Sequence, residues 1–286
     1  MSTKHPNDAP NHEMCFPTIT ESEHTISSVP VVLLCGGHGT RIKEVTQDAI
    51  PKALLPFGST TLIDHSLHLL KENAIERVIL GVSHHGQQIR EHIRKNWSGA
   101  FDFSFSETPS PLGICASLLL ACEQCGVHSD CLLMGADEIC DGLRFAEAFT
   151  FHKAVQAEIT LILIDNVEPE YRSLTAGIDD QGRLFCLERS DLPAPLYSTG
   201  LAFVSPTFRA CCKHIEHDPS GRLLLQQLLP QMMSHGAAFG HVSTMRRYLH
   251  VGSPEAYRKA LQSAPTLPVS AQQGDPRPSG LVNASP

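Results

Sequence analysis

A chain of 286 residues, 42% of them hydrophobic, is long enough for one large α/β domain or two small ones. No run approaches the roughly 18 apolar residues of a membrane span, and the polar start at Met1–Asn7 offers no apolar core for a signal peptide; a cytoplasmic protein without a membrane partner is expected. The formal net charge of −8 argues against nucleic acid as the main partner and leaves any anionic substrate to be drawn by local cations.

Residues 1–28 carry Pro, Asn, Ser, Thr and His without periodicity, which predicts a mobile tail. Val31–Cys35 is a short apolar run rich in β-branched residues, the pattern of a strand buried on both faces. It stops at Gly36-Gly37-His38-Gly39-Thr40-Arg41. Three glycines there let the backbone take positive φ and approach a ligand with no Cβ in the way. Backbone N–H groups in such a turn form an anion-binding concavity, to which Thr40 adds a hydroxyl and Arg41 a fixed cation. Further on, Pro51 stiffens the chain and Lys52 supplies a second cation. A glycine cradle with Arg41 and Lys52 describes a polyphosphate site. It is not a Walker P-loop, since no Gly-Lys-Ser/Thr closes it, nor the G-x-G-x-x-G fingerprint, whose third glycine is missing.

Beyond this loop, Ile63, Leu67, Leu70 and Ala74 mark one face of a helix over Thr60–Ala74. Arg77–Ser83 reads as a buried strand, Gln87–Trp97 as a helix, and Phe101, Phe103 and Phe105 alternate as a strand. Cys115–Cys125 predicts another helix and Cys131–Met134 another strand. This alternation implies a mainly parallel, Rossmann-like sheet with helices on both faces. Ligands in such sheets lie beyond the carboxyl ends of strands, where Gly36–Arg41 and Gly135–Asp137 both fall. In the second half, Glu158–Ile164 is a strand, and residues 172–189 read as two strands joined by a turn at Asp179–Gly182. Tyr197–Val204 is another strand, helices are expected over 207–216 and 220–234, and Phe239–Ser243 is a short strand. A closing helix over Ser253–Leu261 is capped by Ser253, with Pro254 at its first position. Residues 264–286 form a second polar tail, so that one domain spans 29–263. The ten cysteines read as thiols. Cys122 and Cys125 have metal-pair spacing but fall inside a helix without a second such pair. They read as small core residues, like Cys211 and Cys212.

The Gly36–Arg41 loop followed by Pro51-Lys52 resembles the GGxGTR…PK motif of the sugar-1-phosphate nucleotidyltransferases, and the resemblance extends over roughly 29–263. It implies a GT-A-like fold with an added β-rich sugar-binding portion. The implied substrates are a nucleoside triphosphate and a sugar 1-phosphate, joined to give an NDP-sugar and pyrophosphate. In this comparison Gly36, Gly37, Gly39, Thr40 and Gly113 hold the nucleotide, Gly113 belonging to a segment similar to the family's E…PLGTAGAL. Arg41, Lys52 and Asp137 carry the chemistry. Asp137 ends a buried strand, where an acid is costly unless paired or bound to a cation, and is the candidate ligand for Mg²⁺. Glu138 and Asp141 are expected to face solvent or cap the next helix. Glu188 and Arg189 match a Glu-Lys pair that touches the sugar phosphate, while Thr199 and Gly200 match the end of an Asn-Ala-Gly that reads sugar hydroxyls, with Ser198 in place of Asn.

Leu249-His250-Val-Gly-Ser-Pro-Glu-Ala-Tyr257 aligns with the family's Asp-x-Gly-Thr-Pro-Glu-x-Tyr, so His250 stands at a metal-ligating aspartate. Imidazole prefers softer ions than Mg²⁺. Three outcomes stay open: a one-carboxylate Mg²⁺ site, a shift toward Mn²⁺ or Co²⁺, and an impaired enzyme. An ordinary histidine near a helix N-terminus is equally consistent. The chemistry needs no catalytic base, because a phosphate is already a nucleophile at neutral pH. Two alternatives differ in acceptor or class: a cytidylyltransferase for phosphocholine or a phosphonate, and a weakened nucleotide-sugar-binding regulator. Among nucleobases the compact ending leans toward guanylyl or uridylyl transfer; oligomeric state, with a homo-oligomer among the options, is open.

Overall fold

The computed structural model describes residues 25–36, 39–108, 112–172, 174–189, 191–215, 218, 220 and 222–264. The expected tails at 1–24 and 265–286 lie outside them. Residues 26–28, assigned to the tail by composition, form a 3-10 turn whose Ser27 carbonyl accepts from Glu76 N at 3.2 Å.

The first half runs from β1 (Val31–Leu34) through a helical turn at Thr40–Ile42 into α1 (Lys43–Thr46). It continues through a turn at Lys52–Leu54, the small hairpin β2 (Pro56–Phe57) and β3 (Thr60–Thr61), and α2 (Leu62–Glu72). Then come β4 (Arg77–Val82), α3 (Gly86–Asn96), β5 (Asp102–Glu107), α4 (Ile114–Gln124) and β6 (Cys131–Gly135). The second half comprises β7 (Glu138–Asp141), α5 (Phe145–Ala154), β8 (Ile159–Ile164), β9 (Thr175–Ile178), β10 (Leu184–Leu187) and β11 (Leu196–Val204). It ends with α6 (Pro206–Cys212), α7 (Leu229–Ser234), β12 (Ala238–Val242), β13 (Arg247–His250) and α8 (Pro254–Gln262).

The main sheet runs β5-β4-β1-β6-β11-β8-β12. β5, β4, β1 and β6 are mutually parallel, while β11 enters antiparallel between β6 and β8. The hairpin β9–β10 hangs from the first residues of β11, where Leu196 and Tyr197 pair with Ala176 and Thr175. Strand alternation divides the interior into two cores. Val31, Leu33, Val78, Leu80, Ile162 and Phe203 face one, closed by α2, α3, α5 and α8; Val32, Ile79, Leu161, Leu163 and Val204 face the other, closed by α4, α6 and α7. The apolar run of β1 is therefore buried on both sides, which is why it lacks polar alternation.

The expected elements are present; α1 and the β2–β3 hairpin are short additions, and three larger differences stand beside them. α5 is additional, burying Phe145, Ala148, Phe149 and His152 along one helical face. The helix expected over 220–234 is split into a π turn at Leu224–Leu228 and α7, because Pro230 lacks the N–H that an unbroken ladder requires. A two-stranded sheet, β7 with β13, stands apart from the main sheet and was not readable from alternation in four-residue segments. No helix among the described residues is long and apolar enough to cross a membrane. All nine described cysteines are free; Cys122 lies against Cys131, and no cysteine belongs to a potential metal cluster among the described residues.

Candidate active site

The carboxyl ends of β1, β4 and β6 are tied edge to edge. Cys35 N donates to Gly81 O at 2.8 Å, Ala136 N to Leu34 O at 3.1 Å, and the Ser83 hydroxyl to the Gly36 carbonyl. A Cβ on Gly36 would lie 3.0 Å from Ser83 Oγ, so the loop leaves the sheet through a gap sized for glycine. Gly37 and His38 lie outside the described residues. Gly39 takes φ 58° and packs 3.9 Å, measured from an added Cβ, from the Lys52 Cβ. Thr40 then opens a helical turn, and Arg41 is exposed on it, with no hydrogen bond or ion pair among the described residues. Gly113 takes φ 85° at the N-cap of α4, a backbone conformation costly for side-chain-bearing residues.

Lys52 forms an ion pair with Asp137, which follows the end of β6. The pair is largely enclosed, with 16% of the lysine and 27% of the aspartate side chain exposed. Burial alone would raise the Asp137 pKa, but the charges of Lys52 and His250 outweigh it and hold the carboxyl below its usual range. Asp137 O also accepts from Val251 N at 2.9 Å, which docks the end of β13 beside it.

Glu138 differs from expectation. Instead of facing solvent or capping a helix it is buried at the start of β7, directly opposite His250 on β13. Its Oε2 accepts from Tyr248 Oη at 2.8 Å, and its Oε1 lies 2.7 Å from His250 Nδ1. Burial raises the Glu138 pKa, with the imidazole opposing. Burial pulls His250 down, but the bond and charge of Glu138, with Asp137, push it above its ordinary value. Asp141 pairs with Arg247 at 2.5 Å rather than capping a helix.

A β-bulge in β11 completes this wall. Ser198 pairs with Leu163 and Ala202 with Leu161, so four residues on β11 span two on β8. Within the bulge, Gly200 takes φ 77°, and a Cβ there would fall 2.7 Å from Glu138 Oε1. Thr199 is wholly buried and its hydroxyl donates to Ile162 O at 2.9 Å, so it braces the bulge rather than offering its side chain to a sugar. Gly36, Gly39, Lys52, Asp137, Gly200 and His250 thus converge on one region. Glu188 and Arg189 are exposed at the end of β10 and make no hydrogen bond or ion pair to that cluster among the described residues. Arg189 instead pairs with Asp191, Nε to Oδ1 at 2.9 Å and Nη2 to Oδ2 at 2.5 Å.

Two groups of side chains have the spacing to hold a cation: Asp48, His84 and His85 at the surface, and Asp137, Glu138 and His250 here, one ligand atom of each lying within 4.8 Å of the others. In the second group both Glu138 oxygens already hold hydrogen bonds, which leaves Asp137 as the available carboxylate. One carboxylate completed by phosphate oxygens and water suits Mg²⁺, so the donor set fits a hard divalent ion.

A family model described as nucleotidyl transferase matches residues 30–266 of this chain. The chain belongs to the nucleotidyl transferase family. Among its relatives, a mannose-1-phosphate guanyltransferase of Yarrowia lipolytica is 31% identical over 140 residues, 48% of this chain and 38% of that protein. A D-glycero-alpha-D-manno-heptose 1-phosphate guanylyltransferase of Campylobacter jejuni is 34% identical over 82 residues, 29% of this chain and 36% of that protein. The chain therefore spans well under two thirds of each of these two relatives. Among solved structures, a protein described as a glucose-1-phosphate thymidylyltransferase from Bacillus anthracis superposes with a TM-score of 0.70 at 17% identity, covering 83% of this chain and 95% of that one. HddC from Yersinia pseudotuberculosis, complexed with GMP-PN, gives 0.63 at 20% identity, covering 82% and 99%. These likenesses show the shared Rossmann-like α/β fold.

Proposed function

We propose that this family member is a guanylyltransferase that joins GTP to a hexose or heptose 1-phosphate, releasing pyrophosphate, in the cytoplasm. The observation that carries the reading is the enclosed Lys52–Asp137 pair, with Lys52 packed against Gly39 of the glycine loop and Arg41, two residues on, exposed and without a hydrogen bond or ion pair among the described residues. The guanylyl choice is supported by relatives named for mannose and heptose 1-phosphates and by a solved neighbour that holds GMP-PN.

In this reading an oxygen of the sugar phosphate attacks the α-phosphorus of the triphosphate in line. Catalysis then consists of holding two anions together and neutralising charge as it moves onto pyrophosphate. The glycine loop takes the triphosphate against backbone N–H groups. Arg41 stabilises the triphosphate and the departing pyrophosphate. Lys52, its ammonium fixed by Asp137, bridges the reacting phosphates. A divalent ion held by Asp137 would supply further neutralisation of the α-phosphate. Gly113 admits the base against backbone at the head of α4. Glu188 and Arg189 orient the sugar phosphate, for which Arg189 must exchange Asp191 for the substrate.

The test is pyrophosphate release across the common NTPs, each with a panel of sugar 1-phosphates, in Mg²⁺ and separately in Mn²⁺. Release with GTP and mannose or heptose 1-phosphate is the expected result. A different productive NTP would overturn the base assignment, and no release with any pair would overturn the enzyme reading. Lys52→Met is expected to lower turnover about 10²- to 10³-fold, the scale of losing one charge-stabilising donor. The double variant Lys52→Met/Asp137→Asn removes both charges; it is expected to recover folding stability but not turnover. Recovery of turnover would show that Lys52 serves only to satisfy Asp137.

A further inference from the structure

Four observations converge on Glu138 from different parts of the chain. It is 6% exposed, the register of β7 and β13 sets it opposite His250, and each of its oxygens has its own partner, Tyr248 Oη and His250 Nδ1. The surrounding backbone is cut to fit: a Cβ at Gly200 would meet Glu138 Oε1, and one at Gly252 would meet His250 Nε2. Glycine at both positions leaves the pair enclosed by backbone, with no side chain in between. The imidazole itself is a quarter exposed and stands at the end of a strand in a two-stranded ribbon, where a lone ring would be free to turn.

We infer that Glu138 is a positioning residue for the transfer reaction: it fixes the His250 ring beside the Lys52–Asp137 pair and is itself withheld from coordinating a cation. The inference rests on the functional reading above and names what orients its least expected residue. Two adjacent carboxylates in a site for anions would repel substrate unless each had a donor facing it. Lys52 faces Asp137, and His250 faces Glu138. An imidazole held at one ring nitrogen by a carboxylate has a fixed orientation and tautomer, and losing such a carboxylate behind a metal-ligating histidine costs about 10- to 100-fold, which sets the scale for His250. Tyr248 completes the arrangement, since with it each oxygen of the carboxylate accepts a bond from its own donor.

Glu138→Gln tests this with little change of shape. An amide accepts through one oxygen only, so it must either release Tyr248 or turn its NH₂ toward the ring and change the tautomer. The expected result is a kcat lowered at least about tenfold with KM for GTP within about threefold, together with displaced ¹⁵N signals of the His250 ring. Wild-type kcat with unmoved ring signals would overturn the inference. Should this variant not fold, His250→Asn keeps a donor but not the ring, and is expected to show the same kcat loss; wild-type kcat there would equally overturn it. The ring signals need no turnover, so a wild-type protein without pyrophosphate release would sink the functional reading while the role of Glu138 was still decided.

Discussion

The bulge glycine offers a prediction with a built-in control. Gly200 and Gly99 share nearly the same positive φ, 77° and 76°, but have different surroundings. An added Cβ at Gly99 meets nothing within 4 Å, whereas at Gly200 it falls 2.7 Å from Glu138 Oε1 and 3.3 Å from Cδ. Alanine at either site incurs a positive-φ backbone penalty of about 1–2 kcal/mol. At Gly200 the carboxylate must also move, which threatens its bonds to Tyr248 and His250, each worth about 1.5–3 kcal/mol as a bond to a charged group. Gly200→Ala is therefore expected to lose about 1.5–3 kcal/mol more than Gly99→Ala if one bond breaks, and about twice that if both do. Urea unfolding of the two variants, analysed at constant m, measures the difference directly. Equal losses would refute the reasoning, because they would mean that Glu138 yields freely and is not held where the hydrogen bonds place it.

Other predictions follow from single residues. Arg41→Ala is expected to lower turnover at least about a hundredfold while changing urea stability by less than about 0.5 kcal/mol, since the side chain is exposed and unpartnered among the described residues. Asp64 is buried and accepts from Trp97 Nε1 at 2.6 Å and Thr61 N at 2.9 Å, with His92 Nε2 at 2.7 Å. Burial works against its charge, yet these bonds bring its pKa to about 2. A depressed carboxyl stabilises the fold above its unfolded pKa, so about 2 kcal/mol should be lost as pH falls from 4 to 2, and Asp64→Asn should abolish that slope in pH-dependent unfolding. His152 lies in the core beside Thr160 Oγ1 at 2.8 Å, and burial lowers its pKa to about 4. The unfolded chain takes up this proton near pH 6.5 while the folded one does not, so about 3 kcal/mol should be lost between pH 6.5 and 4; His152→Gln should flatten that limb.

The strands of the main sheet and the glycine loop were legible because their signals are local. A β-branched run closed by glycines, or apolar residues at helical spacing, needs no knowledge of distant partners. Gly36, Gly39, Lys52 and Asp137 could be nominated from such signals and from resemblance, and they do converge. Glu138 could not. Nothing adjacent in sequence distinguishes it from a solvent-facing acid, since its meaning comes from residues 248 and 250, more than a hundred positions away, across a ladder only four residues long. The register pairing of 138 with 250 turns an apparently misplaced histidine into half of a matched pair. Thr199 differs in the opposite sense: its match to the family's Asn-Ala-Gly implied a ligand contact, yet the bulge directs its hydroxyl to Ile162 O. Arg189 was legible as a cation, but its neutralisation by Asp191 depends on a loop conformation that no spacing rule encodes.

β11 belongs to two structures at once. Residues 202–204 are clamped between β6 and β8 in the middle of the sheet, while residues 196–197 carry the β9–β10 hairpin. The bulge between them is where the strand changes partners, and its Gly200 leaves no room for a side chain against the Glu138 carboxylate. The hairpin is held from a second side as well, where Gly240 N donates to Gly182 O at 2.8 Å, so it rests on β12 and on the one strand whose bulge abuts Glu138.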